Sequence, residues 1–298
     1  MKHPFEEKVE HSIACNKLLN VGERVIVALS GGADSVALLS VMTALGYDCV
    51  AAHCDYHLRG EESERDRMHA HEMARLHGAE YVERHFDAST YSLGRGISVE
   101  MGCRELRYDW FAELSKSYGG ASVAVGHHND DNVETLFLNL LRGTGLTGLT
   151  GMKPRHGIVV RPMLDVTRRE VLGYLNDKGL TYVTDSTNLV NDVKRNRLRN
   201  VLLPAIRAYF PDAQTTVTRS VHNLTANLAL YSELIARCGA AYRGAAGAID
   251  VATLKSEITN ASTMLYEMVR DYGFNAAQCE AMVAAAGSTE SRRFFAGG

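Results

Sequence analysis

The sequence predicts an α/β protein: a parallel sheet covered by helices on both faces, followed by a smaller, mainly helical C-terminal domain. Three observations lead there. Apolar runs of strand length alternate with longer helical patterns over the first two hundred residues. The strand-length runs are continuously apolar, as in strands buried on both faces. After Pro211 the composition shifts toward Ala, Leu and Thr at helical spacing, with no further strand–turn–helix unit. A length of 298 residues fits two domains of roughly 150 each. The boundary is expected at Pro211-Asp212, giving domains 1–212 and 213–298.

Val25 to Leu29 reads as a buried strand; a Gly-rich turn follows, and Val36 to Leu45 reads as a helix. Cys49 to His53 is a second strand, and Glu61 to His77 is helical. Glu80 to Glu83 is a third strand candidate, and Val99 to Ser117 is helical. Ala121 to Val125 is a fourth strand, feeding a helix from about Asp131 to Leu141. Ile158 to Arg161 is one more short strand. Thr167-Arg-Arg-Glu170 is a capping box that opens a helix ended by Gly179. Asn196 to Tyr209 reads as a helix interrupted by Pro204. There is no internal repeat. An aromatic pair close to the last residue, Phe294-Phe295, predicts that more chain follows.

Hydrophobic residues make up 46% and charged residues 22%, which excludes a wholly disordered chain. The longest apolar runs fall far short of a membrane span, and the N-terminus lacks an apolar stretch of signal-peptide type. Six cysteines without a CxxC pair are expected as buried thiols of a cytoplasmic protein. A net charge of −3 excludes a uniformly basic coat. Between Arg142 and Arg207, however, 12 basic residues face 5 acidic ones. This points to a polyanionic partner, with a solvated surface as the plainer account.

Ser30-Gly31-Gly32-Ala33-Asp34-Ser35 lies between a buried strand and a helix, where open α/β sheets bind ligands. Two glycines allow a sharp turn and a close approach by phosphate. Successive N–H groups and the helix N-terminus then face the anion. The loop lacks the lysine of a Walker A motif and carries Asp34 instead. A carboxylate there is repulsive to phosphate unless it holds a cation or faces a second substrate. A plain tight turn with a polar cap is the bland alternative.

Gly126-His-His-Asn-Asp-Asp-Asn-Val-Glu134 follows the fourth strand. A helix starting near Asp130 puts Asp131 and Glu134 on one face, at the mouth of the sheet. Such a pair can bind a cationic amine and take its proton. A transition-metal site is the rival, but no cysteine joins the histidines. Capping histidines on a solvated acidic helix start are the structural alternative.

The loop resembles the signature of the N-type ATP pyrophosphatases. The runs HHNDDNVETLFLNLLRGTGLTGLTGM, RPMLDVTRREVLGYLNDKGLTYVTDSTN and KRNRLRNVLLPAIR, with Glu100 to Tyr108, resemble the tRNA(Ile)-lysidine synthetase family over residues 20 to 212. The resemblance is much weaker beyond residue 215, where the family has a small helical domain and often one more. It implies a Rossmann-like sheet, ATP, magnesium, and a ligase that releases pyrophosphate and AMP. ATP adenylates the C2 oxygen of the wobble cytidine of tRNA(Ile) with a CAU anticodon, and the ε-amine of free L-lysine then displaces AMP to give lysidine.

In this reading Ser30, Gly31, Gly32, Ala33, Asp34 and Ser35 hold ATP, and the stretch from His53 to His57, after the second strand, lies against adenine and ribose. Asp131, Glu134 and Asp34 receive the amine, which must lose a proton before it can attack. Arg104 and one of Arg195, Arg197 and Arg199 take the lysine carboxylate or tRNA phosphate, with an ion-pair cluster involving Asp185 and Asp192 as the alternative. His127 contacts the α-phosphate or the amine, or is a core histidine. Residues 213–298 help dock the tRNA. A tRNA thiolase of the same superfamily and a non-catalytic ATP-binding module are the rivals. The first needs a sulfur-carrying cysteine pair, and the second has no need of the acidic pair. The sequence leaves monomer and homodimer both open.

Overall fold

A computed structural model describes residues 2–184, 194–244, 247–288 and 292–296. The chain divides into two compact units, Met1–Val221 and His222–Gly298; the sequence had placed the division at 212/213.

The first unit is built on six strands: β1 (Arg24–Ala28), β2 (Asp48–Asp55), β3 (Glu80–His85), β4 (Ser122–Ala124), β5 (Arg155–His156) and β6 (Val159–Val160), in the order β3-β2-β1-β4-β6-β5. All pairs are parallel except β5–β6. The sequence named β6 but gave no sign of β5, a two-residue strand of exposed polar side chains.

Side-chain alternation explains why the strands are continuously apolar. Val25 and Val27 of β1 enter one core with Cys49 and Ala51 of β2, while Ile26 enters the other with Val50 and Ala52. Both faces of the sheet are therefore dry. The first face is covered by α1 (Pro4–Cys15), α2 (Ala33–Ala44), α3 (Glu61–Leu76) and, beyond the site elements, Tyr174 and Leu175. The second face is covered by Trp110 and Phe111 of α5 (Val99–Ser117), with α4 (Ala88–Arg95) preceding it.

The elements that carry the site follow β4. They are α6 (Asn129–Leu141), α7 (Leu146–Leu149), α8 (Arg168–Asp177), α9 (Lys194–Arg197), a π turn over Leu198–Leu202, and α10 (Leu203–Tyr209). The helix predicted with an interruption at Pro204 is continuous but wound wider before it. Proline has no N–H to donate into the ladder, and Leu203 N–H instead reaches back to Leu198 O, five residues earlier. Leu198 and Leu203 then pack with Val133 of α6, so the arginines of this segment overlie the acidic start of α6.

A long helix, α11 (Ala213–Ala240), contains the division between the units. In the second unit α12 (Val251–Glu257), α13 (Ala261–Val269) and α14 (Ala276–Ala285) enclose Tyr242, Leu254, Leu265 and Cys279. None of the described helices is long and apolar enough to cross a membrane.

One expectation is corrected. The six cysteines are all free, but Cys15 and Cys238 are exposed and only Cys49 and Cys279 are buried. The two exposed ones sit near the C-terminal ends of α1 and α11. Burial pushes the Cys49 thiol up to about 12 and, against the opposing pull of Tyr56, Arg107 and Arg84, the Cys54 thiol up to about 11.

Candidate active site

β1 ends by handing its chain to the glycine loop. Leu29 N–H still donates to Ala52 O (2.9 Å), and then the backbone turns at Gly31, whose φ is +86°. Ser30 N–H donates to Ser35 Oγ (3.2 Å), and Ser35 Oγ–H donates to Gly32 O (2.9 Å), so the loop is closed by its own two serines. Gly32 is the N-cap of α2 without a side-chain cap, which leaves the Ala33 and Asp34 amides of a 12-residue helix to an anion, while the Ser35 amide donates to Gly32 O (3.1 Å). The loop is also backed by a distant segment: Val183 N–H donates to Gly31 O (3.0 Å). A side chain at Gly31 would meet Val183 Cγ2 at 3.1 Å and Asp66 O at 3.2 Å.

The acidic helix start is packed directly on this loop. A Cβ on Gly126 would lie 3.0 Å from the Asp34 backbone, so only glycine permits the approach. His128 is buried at the N-cap of α6. Its Nδ1 accepts from Asp131 N–H (3.4 Å), while its backbone N–H donates to Asp131 Oδ2 (3.1 Å). Its Nε2 lies 3.5 Å from Asp34 Oδ1, within ion-pair reach when the ring is protonated but without a hydrogen bond. His128 thus bridges the phosphate loop and the acidic pair. Arg168 Nη1 donates to both carboxylate oxygens of Asp34, at 3.0 and 3.2 Å.

These contacts set the protonation states. Burial acts to raise Asp34, but His128 and then Arg168 outweigh it and hold the carboxyl below its usual range. Burial acts to lower His128, but Asp34, Asp131 and Asp130 outweigh it and hold the imidazole above its usual value. The Asp34 contribution to stability is therefore present at neutral pH and lost as pH falls through its depressed folded value. The His128 contribution is full below about pH 6.5 and lost as pH rises through its raised folded value. The Asp34→Asn variant should drop the His128 value in an NMR titration, because burial remains and the main partner is gone. An unchanged titration would refute the bridge.

Asp131 and Glu134 lie on one face of α6, and the arginines meet them there. Arg195 Nε donates to Glu134 Oε2 (2.9 Å). Arg199 Nε donates to Glu134 Oε1 (2.6 Å), and its Nη2 donates to Glu134 Oε2 (3.0 Å) and Asp131 Oδ1 (2.9 Å). The Glu134 side chain is only 2% exposed, whereas the two guanidiniums are about a third exposed. Positions 195 and 199 share one side of the helical turn; Arg197 lies on the other and is exposed. Asp185 and Asp192 lie outside the described residues.

His127 faces a basic wall. Arg161 Nε donates to its Nδ1 (3.3 Å), fixing the proton on Nε2. Burial, reinforced by Arg161, Arg195 and Arg107 against the opposing charge of Asp131, pushes this imidazole down to about 4. A neutral ring among three guanidiniums is suited to donate a hydrogen bond to an anion. Arg104 stands at the edge of this region, exposed, its guanidinium 4.8 Å from the Tyr108 ring centre. His53, expected against the nucleotide, is 4% exposed, and its Nδ1 lies 2.8 Å from Leu29 O. Its bond to Leu29 ties β2 to the root of the loop. The sequence alone gives no role to Arg168, Arg161 or Val183, and leaves His128 as a cap or a metal ligand. The side-by-side histidines were the one signal that could have marked His128.

Residues 1–206 match the model of the PP-loop domain, and the chain belongs to that family. Among individual relatives it is similar to tRNA(Ile)-lysidine synthase of Parabacteroides distasonis, 40% identical over 94% of this chain and 64% of that one. It is also similar to the enzyme of that name from Porphyromonas gingivalis W83, 41% identical over 99% of this chain and 65% of that one. The chain thus spans just under two thirds of these relatives' length. Among solved structures it is similar to the U34-tRNA thiolase NcsA of Methanococcus maripaludis with its [4Fe-4S] cluster. The TM-score is 0.59 at 17% identity, covering 74% of this chain and 78% of that one, a likeness of fold.

Proposed function

We propose that this chain carries the catalytic part of an ATP-dependent ligase that joins free L-lysine to C2 of the wobble cytidine of tRNA(Ile) with a CAU anticodon. The observation that carries this reading is the packing of an anion loop directly against an acidic pair, with the buried His128 lying between them, 3.5 Å from Asp34 and 3.4 Å from the Asp131 amide, so that a nucleotide and an amine can be held side by side.

The reaction has two steps. The C2 oxygen of cytidine attacks the α-phosphorus of ATP and pyrophosphate leaves. The lysine ε-amine then forms the C–N bond at C2, AMP leaves with the oxygen, and the amine proton passes to a carboxylate. The amides of the turn from Gly31 to Asp34 hold the phosphates, and His127 Nε2–H stabilises charge at the α-phosphate. Magnesium, which binds with one or two carboxylates plus phosphate oxygens, suits Asp34 if Arg168 yields its place, and would neutralise the leaving pyrophosphate. Asp131 and Glu134 take the ammonium and its proton. Arg104, with one of the arginines released from Glu134, takes the lysine carboxylate. Residues 213–298 help dock the RNA through shape and a few contacts, since seven basic and seven acidic residues balance from Thr216 onward.

With ATP, magnesium and unmodified tRNA of CAU anticodon, labelled lysine is expected to enter the RNA with release of pyrophosphate. Nucleotide binding without lysine incorporation would favour a non-catalytic module, and sulfur incorporation a thiolase. Against the thiolase stands the cysteine arrangement: among the described residues no group of three cysteines converges.

A further inference from the structure

Three side chains apart from the loop and the acidic pair converge at the carboxyl ends of β2 and β3. Asp55 ends β2, and its side chain is 3% exposed. Its Oδ2 lies 3.3 Å from His57 Nδ1 and 3.2 Å from His85 Nδ1. Among the described residues this is the one group of three whose donor atoms all come within 4.8 Å of one another. The register of the sheet pairs Asp55 with His85, so two members are fixed by the ladder itself. The third is fixed by its backbone. His57 has φ +53°, a conformation unfavourable for a residue with a side chain, and its N–H donates to Asp55 Oδ1 (2.9 Å).

We propose that Asp55, His57 and His85 form a binding site for a divalent cation of the zinc class. Two imidazoles and one carboxylate are the donors of Zn²⁺, Co²⁺ and Ni²⁺ sites, whereas Mg²⁺ takes oxygen alone. An ion about 2.0–2.2 Å from each donor requires donors roughly 3.0–3.5 Å apart, which both His–Asp separations already meet. Glu83 Oε1 lies 3.5 Å from His85 Nε2, on the side of the ring away from Asp55. That is the position of a carboxylate that orients a ligating histidine from behind. Two carboxylates, Glu64 and Glu83, share the single guanidinium of Arg67, so the surroundings remain acidic.

The two imidazoles are stacked, 4.9 Å apart and 7° from parallel. Parallel rings cannot both aim an in-plane lone pair at one ion, so binding turns at least one of them. Their side chains are 59% and 48% exposed, so the turn meets solvent, and it exchanges the 3.0 Å contact between His85 Nδ1 and His57 Nε2 for the bond to the ion. The ion would tie the end of β2 to the end of β3, beside the strand that bears the phosphate loop.

The test uses the full chain without nucleotide, titrated with Co²⁺ and followed by its visible d–d absorption, then challenged with Zn²⁺. One equivalent is expected, displaced by Zn²⁺ and not by equimolar Mg²⁺. His57→Gln and His85→Gln should each weaken binding at least about tenfold, with unchanged circular dichroism because both rings are at the surface. His11→Gln, beside Cys15 (3.3 Å) on α1, should leave it unaltered. Absence of a d–d band, equal binding by the three variants, or displacement by equimolar Mg²⁺ would overturn the site. None of these outcomes bears on the ligase reading, because no nucleotide is present.

Discussion

Glu134→Ala is expected to abolish lysine incorporation and to lower stability together. The carboxylate accepts three hydrogen bonds from two guanidiniums and is almost wholly enclosed. Removing one partner of a fully buried ion pair costs about 3–5 kcal/mol. Here the arginines are partly hydrated, so the cost should be nearer 1–3 kcal/mol, read from urea unfolding. Turnover should fall at least about 100-fold, the usual scale for losing a general base. The double variant Glu134→Ala/Arg199→Ala should regain part of the stability and none of the turnover. Were Glu134→Ala to incorporate lysine at the normal rate, the acidic pair would be structural only.

Gly31→Ala should be nearly as damaging, by a different route. The left-handed turn costs a residue with a Cβ about 1–2 kcal/mol, and the added carbon would press on Val183 and on the backbone of Asp66. The loop cannot move away without breaking the Val183 bond to Gly31 O. ATP affinity measured by calorimetry is expected to fall at least about tenfold. Gly78→Ala is the control: its φ is +64°, but nothing lies within 4 Å of the new carbon. It should lose stability through backbone strain and keep its affinity for ATP. Equal affinities in the two variants would mean that the loop does not grip the phosphates.

What the sequence made readable was local. Ser30 to Ser35 could be recognised because the strand, the two glycines and the helix cap are adjacent. Asp131 and Glu134 could be placed on one face because helical spacing fixes it. Contacts across long sequence separations were not readable. Arg168 reaches Asp34 across 134 positions, and Val183 backs Gly31 only after the chain has passed through β4, β6 and α8. His53 shows the limit of position alone: a histidine at the end of a central strand suits a ligand, but it also suits the carbonyl of the neighbouring strand. The π turn was hidden because Pro204 signals that a helix is disturbed without saying whether it stops or widens. Arg199 lies four residues beyond Arg195 and so falls on the same side.

The double grip of Arg195 and Arg199 on Asp131 and Glu134 has a consequence for which amines could enter. The carboxylates are not bare, so a lone ammonium ion or a metal cation must compete with tethered guanidiniums and offers them nothing in return. A zwitterion can exchange partners instead, its amine end taking the acids while its carboxylate end takes a displaced arginine. Under the proposed reaction, the resting ion pairs act as a filter for free amino acids over simple amines.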